Sequence, residues 1–155
     1  MITILFQDLR QNGGVRQALK LVELDGYKNM NIGIPKELKP FEGRVALTPQ
    51  ACIGLVLRGH KVFVEHDAGK LSGYSNDEYK QLGVHICLTV KQLYEECSLI
   101  VKVKEPLSAD LQYLTSKHTI FCFLHLAANP SLTKSLIDIG LTAVGFELLR
   151  ENNVL

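Results

Sequence analysis

The chain has 155 residues, 46% of them hydrophobic and 21% charged, with 17 basic and 16 acidic side chains and a formal net charge of +1. That length matches one domain and can bury roughly 68–70% of its unfolded surface, so no disulfide staple is required. The near-neutral balance argues against a dedicated nucleic-acid binder, and no apolar run approaches the roughly 18 residues of a membrane span.

Residues 1–29 stand apart from the rest of the chain. The opening MITILFQDLR holds too short an apolar run for a signal peptide. Asn12-Gly13-Gly14 reads as a turn, and Val15, Ala18, Leu19 and Val22 recur at helical spacing. This extension reads either as an appended helix or as a leader from an upstream start. Met30 begins a regular alternation that runs to residue 149.

NIGIP (31–35) is a short apolar strand stopped by Pro35, and the polar loop KELKPFEGRVAL comes next. Thr48 caps a helix with Pro49 at its first position, where a missing N–H costs nothing. Cys52, Leu55, Val56 and Gly59 give that helix its periodic face and its stop. HKVFVEH (60–66) is the next strand, and AGKLSGY a glycine-rich loop. Ser75 and Glu78 form a capping box for a short helix ending near Gly83. VHICL (84–88) is a strand. Thr89 and Gln92 form a second capping box, opening a helix striped by Val90, Leu93, Tyr94 and Cys97. SLIVKVK (98–104) reads as strand, ADLQYL as helix, and HTIFCFLHL (118–126) as strand. Asn129-Pro130 opens a helix that stops near Gly140, and LTAVGFELL (141–149) is the last strand.

Strands apolar on both faces, alternating with helices, predict an α/β domain with a mostly parallel sheet and helices on both faces. Cys52, Cys87, Cys97 and Cys122 include no C-x-x-C pair and read as small core residues. With no targeting segment, they point to a reducing, cytoplasmic setting.

In such sheets ligands bind outside the carboxyl ends of the strands. That rim holds Lys36, Glu37, Lys39, Glu42 and Arg44 after the first strand, and His66 and Asp67 after the second. Lys102, Lys104 and Glu105 stand at the end of the fourth, and His125 at the end of the fifth. Arg44, Lys104 and His125 are the candidates for chemistry. Each has a plainer reading: a surface arginine, a solvated strand terminus, a hydrogen-bonded core histidine. Their coincidence on one rim suits a small acid. Arginine forks a carboxylate, lysine loses its proton more readily among other cations, and histidine titrates near neutrality. His60 and His66 stand at opposite ends of their strand, roughly 20 Å apart at about 3.3 Å per residue, so they cannot share a metal. No G-x-x-x-x-G-K-[ST] or G-x-G-x-x-G pattern occurs, so neither a phosphate loop nor a dinucleotide fingerprint is present.

NIGIPKELKPFEGRVALTP, LVLRGHKVFVEHDAG, IVKVKEP and FLHLAANP, in this order, closely resemble the N-terminal segment of the alanine dehydrogenases, from Met30 to about Leu149. The α-subunits of nicotinamide nucleotide transhydrogenases share R-V-A-x-T-P but usually lack the K-V-K-E-P and L-H-L-A-A forms, and are the alternative. The resemblance implies a Rossmann-like or flavodoxin-like substrate domain (30–149), with residues 150–155 beginning the crossover to an NAD-binding domain absent from these residues. It implies reversible oxidative deamination of L-alanine to pyruvate and ammonia with NAD. Arg44 would hold the substrate carboxylate, Lys104 would contact the substrate, and His125 would do acid–base work. It also implies a homo-oligomer or a complementing chain over an incompletely covered sheet face. A non-catalytic remnant that still binds pyruvate or alanine is a further reading, as is a domain that only self-associates. No turnover is expected from these 155 residues alone, because hydride transfer needs a positioned nicotinamide.

Overall fold

A computed structural model of the chain describes residues 29–149; the helix expected within 1–29 and the crossover at 150–155 lie outside the described residues. Within the described residues six strands alternate with five helices. They are β1 (Asn31–Ile34), α1 (Pro49–Val56), β2 (Lys61–Glu65), α2 (Asn76–Gln81), β3 (His85–Cys87) and α3 (Val90–Glu96). Next come β4 (Leu99–Val101), α4 (Ser108–Leu111), β5 (Thr119–Cys122), α5 (Pro130–Ile139) and β6 (Thr142–Gly145). The strands pair in the order β3-β2-β1-β4-β5-β6, every pair parallel. This is the doubly wound order, whose direction reverses between β1 and β4.

The helix starts reflect the local chemistry. The Thr48 hydroxyl accepts the Ala51 N–H at 3.3 Å ahead of Pro49. Ser75 and Glu78 exchange both capping-box bonds, and Asn129 Oδ1 accepts the Leu132 N–H at 3.1 Å before Pro130. The reciprocal cap expected at Thr89 and Gln92 forms only its Thr89 half, with the Gln92 N–H donating to the hydroxyl at 3.2 Å.

Alternation along each strand sends side chains to two cores. Ile32, Ile34, Val62, Val64, Leu99 and Val101 pack with Cys52 and Leu55 of α1 and Tyr79 of α2. Ile100, Ile120, Cys122 and Ala143 pack on the other face with Leu93 and Tyr94 of α3 and Leu132 and Leu136 of α5. Helices therefore cover both faces, as the apolar runs predict. All four cysteines are free and buried, and burial pushes the Cys52 thiol up to about 12. Gly33 marks the closest approach of helix to sheet. A Cβ there would lie 2.7 Å from Leu93 Cδ2 and 3.0 Å from Cys97 Cβ.

β4, β5 and β6 are shorter than their apolar runs; single backbone bonds, from the Lys102 N–H to the Phe121 carbonyl and from the Phe123 N–H to the Val103 carbonyl, still join β4 to β5 just past their ends. β1 ends at Ile34, before Pro35. Beyond Val101 the Val103 and Lys104 N–H groups donate instead to the Glu37 carboxylate, at 2.7 and 3.4 Å. Lys102 and Lys104 thus lie past the end of β4 and not within it. β5 ends at Cys122, and the Leu124 and His125 N–H groups donate to the Glu147 carboxylate at 3.0 and 2.6 Å. β6 ends at Gly145, and Phe146–Leu148 form a 3-10 turn that carries Glu147.

Candidate active site

The loops after β1, β4 and β5 carry Arg44, Lys104 and His125, and these three strands are immediate neighbours in the sheet. All three residues therefore stand along one edge of the fold, astride the switch point. The two carboxylates that end the ladders fix two of the segments. Glu37 holds the backbone of Lys104, and Glu147 holds that of His125. His125 has φ +50°, in the left-handed region, which turns the chain from β5 into the 3-10 turn Leu126–Ala128. Its ring is exposed and stacks on Phe123 at 6.1 Å.

Lys102 is not a rim cation. Its side chain is 1% exposed, with the ammonium 3.6 Å from both Glu37 Oε2 and Asp110 Oδ2. Asp110 also accepts the Tyr94 hydroxyl at 3.0 Å and the Leu107 N–H at 2.9 Å. Two carboxyl groups thus share one ammonium in this buried cluster. Burial raises the Glu37 carboxyl above its ordinary value, although Lys102 and the Val103 and Lys104 N–H groups pull it back.

Arg44 stands on the open side. Its Nε and Nη2 donate to Glu42 Oε1 and Oε2 at 2.8 and 2.6 Å, and its backbone N–H donates to Oε1 at 3.0 Å. The hydrogen bond from Arg44 holds the Glu42 carboxyl down to about 2, with the Lys104 charge acting in the same direction. Arg44 lines a hollow of about 640 Å³ with Phe41, Glu42, Thr48, Leu71 and Tyr74. Neither Lys104 nor His125 lines that hollow. Lys104 reaches the group through its field on Glu42, and Glu37 through its field on Arg44.

His125 belongs to the neighbouring group. Lys39 pairs with Glu105 Oε1, while Glu105 Oε2 is buried without a hydrogen-bond partner. Burial raises the Glu105 carboxyl, but the Lys39 bond, its own backbone N–H and the charges of Lys39 and His125 outweigh it and lower it. Arg44 with Glu42, and Lys39 with Glu105, are thus two separate ion pairs on the loops that carry the three candidates. Sequence reasoning marked the rim cations and placed Glu37, Glu42 and Glu105 nearby without roles. Glu147 and Asp110 were missed, because nothing local to them shows which strand end or buried cation they meet.

The other histidines have structural partners. His60 Nδ1 accepts the Met30 N–H at 3.2 Å. His118 is buried, its Nε2 2.9 Å from the Tyr94 carbonyl oxygen, and His85 stacks on Phe63 at 4.9 Å. His66 lies 3.6 Å from Asp67 at the β2 end. After β1 stand Pro35, Lys36 and the buried Glu37 carboxylate in place of a glycine-rich turn. That junction does not fit a dinucleotide pyrophosphate, which needs free N–H groups and no facing anion.

Residues 33–154 match the family model described as the alanine dehydrogenase/PNT N-terminal domain. The chain is 42% identical over 126 residues to alanine dehydrogenase of Bacillus subtilis strain 168, covering 81% of this chain and 33% of that protein. It is 40% identical over 121 residues to alanine dehydrogenase of Methanococcus maripaludis, covering 78% of this chain and 32% of that one. Among solved structures, an L-alanine dehydrogenase superposes with a TM-score of 0.74 at 41% identity, over 76% of this chain and 32% of its own. Transhydrogenase from Sinorhizobium meliloti superposes with a TM-score of 0.72 at 26% identity, over 77% of this chain and 36% of its own. The chain spans about a third of the length of these relatives. Near-equal superposition shows that both share the fold, and the higher identity lies with the dehydrogenases. On the family match and these identities, the chain belongs to the alanine dehydrogenase/PNT N-terminal domain family.

Proposed function

We propose that residues 30–149 are the substrate-binding domain of an NAD-dependent alanine dehydrogenase, which interconverts L-alanine with pyruvate and ammonia. Arg44 seats the substrate carboxylate through its guanidinium fork. Lys104, braced by Glu37, donates to the carbonyl oxygen of pyruvate and draws electron density from the carbon that gains or loses hydride. His125, braced by Glu147, moves the proton on that oxygen or on the amino nitrogen. The nicotinamide supplies only the hydride, and the described residues show no place for it. The observation that supports this reading is the descent of all three groups from neighbouring strand ends at the switch point.

Calorimetry of the 155-residue chain with pyruvate tests the seat. The unaltered chain gives a binding heat, and Arg44→Ala reduces affinity by roughly tenfold or more, the equivalent of losing one charge-assisted contact. Equal heats in both would remove the carboxylate seat. A spectrophotometric assay with alanine and NAD on the same chain should show no turnover, and measurable NADH would show that these residues suffice.

A further inference from the structure

The guanidinium fork proposed for the substrate is already occupied from within the chain. Glu42 presents a carboxylate to Arg44 in the paired geometry, Nε to Oε1 at 2.8 Å and Nη2 to Oε2 at 2.6 Å, that a bound carboxylic acid would adopt. The Glu42 side chain is only 8% exposed, whereas that of Arg44 is 63% exposed, so the cation is reachable from solvent while its fork is filled. Lys104, the second cation of the proposed site, also acts on Glu42. An incoming anion thus meets an arginine whose charge is matched and two of whose five donors are spent.

We infer that Glu42 is a self-ligand for the substrate-carboxylate seat: it fills the Arg44 fork in the empty domain and must be exchanged for the carboxylate of a 2-oxo or 2-amino acid. This rests on the carboxylate seat proposed above. The exchange replaces one pair of charge-assisted hydrogen bonds with another, so Glu42 offsets part of the affinity that Arg44 supplies for as long as it keeps its charge. Glu42 therefore sets affinity without being a contact of the bound acid.

The test is pyruvate titration of the 155-residue chain by calorimetry, for the unaltered chain and for Glu42→Gln, Glu42→Asp and Arg44→Ala. Glutamine retains an oxygen for the Arg44 backbone N–H, so the loop keeps its shape, and an unchanged Tm confirms it. Glu42→Gln is expected to bind pyruvate about tenfold more tightly. Glu42→Asp keeps the charge on a shorter reach and falls between. If Glu42→Gln binds equally or more weakly while Arg44→Ala abolishes binding, the self-ligand is overturned and the seat stands. If Arg44→Ala binds like the unaltered chain, or if neither the unaltered chain nor Glu42→Gln binds, the seat itself falls and the self-ligand with it.

Discussion

Replacing Lys102 with methionine should destabilise the domain by about 3–5 kcal/mol at neutral pH, the usual consequence of removing one partner from a buried ion group. For a chain of this size that is a fall in Tm on the order of 10 °C. Glu37 and Asp110 both lie 3.6 Å from the ammonium, so its loss leaves two carboxylates facing each other away from water. Glu37→Gln is the informative contrast. It leaves Lys102 paired with Asp110, keeps an oxygen for the Val103 N–H, and should cost only about 1–2 kcal/mol. The pH dependence has a definite sign. Burial raises the Glu37 carboxyl from 4.5 in the folded chain, so the folded state binds this proton more tightly than the unfolded state does. Glu37 therefore lowers stability as pH climbs from 4.5 through its raised value. Without Lys102 the carboxyl rises further, so the deficit of Lys102→Met should shrink as pH falls toward 5. Urea unfolding at pH 7 and pH 5 measures both quantities. A loss below about 1 kcal/mol, or one that grows on acidification, would refute the buried-ion account.

Gly33→Val should be comparably damaging, for a steric reason. The position lies in the middle of β1, and the first added carbon would meet Leu93 at 2.7 Å and Cys97 at 3.0 Å. Leu93 is fully buried, so it has no open space to yield into. Overpacking of this kind typically costs 1–3 kcal/mol, and valine adds two further methyl groups, so about 3 kcal/mol is expected. Gly33→Ala should cost roughly half of that. Because β1 leads directly into Pro35 and Glu37, displacing α3 from the sheet also displaces the brace under Lys104. Weakened pyruvate binding should accompany the lower Tm, and Gly33→Val with an unchanged Tm would show that α3 accommodates the side chain.

The fold was largely legible because its signals are local. Thr48-Pro49, Ser75–Glu78 and Asn129-Pro130 each fix a helix start within four residues. The apolar runs of β1, β4 and β5 have no polar face to leave in water. Strand ends were misread because periodicity rewards Val103, Phe123 and Phe146 for being apolar, whereas distant carboxylates, Glu37 and Glu147, take the N–H groups past β4 and β5. The candidate site divides in the same way. Arg44, Lys104 and His125 were legible as cationic or titratable groups at strand ends. Their carboxylate counterparts were not, because each acts across the chain: Glu37 on Lys102–Lys104, Glu147 on His125, Asp110 on Lys102. Lys102 and Lys104 looked equivalent in sequence and differ because Lys102 is buried against Glu37 and Asp110, whereas Lys104 is only half-buried.

The join between β1 and β4 rests on two registered positions, Ile32 with Leu99 and Gly33 with Ile100. The strands on one side of that seam come from the first half of the domain, and those on the other from the second. Arg44 belongs to the first, Lys104 and His125 to the second. A small acid gripped by both would stitch the halves together, so its binding should be read out as slower cleavage by a protease at the seam as directly as by heat.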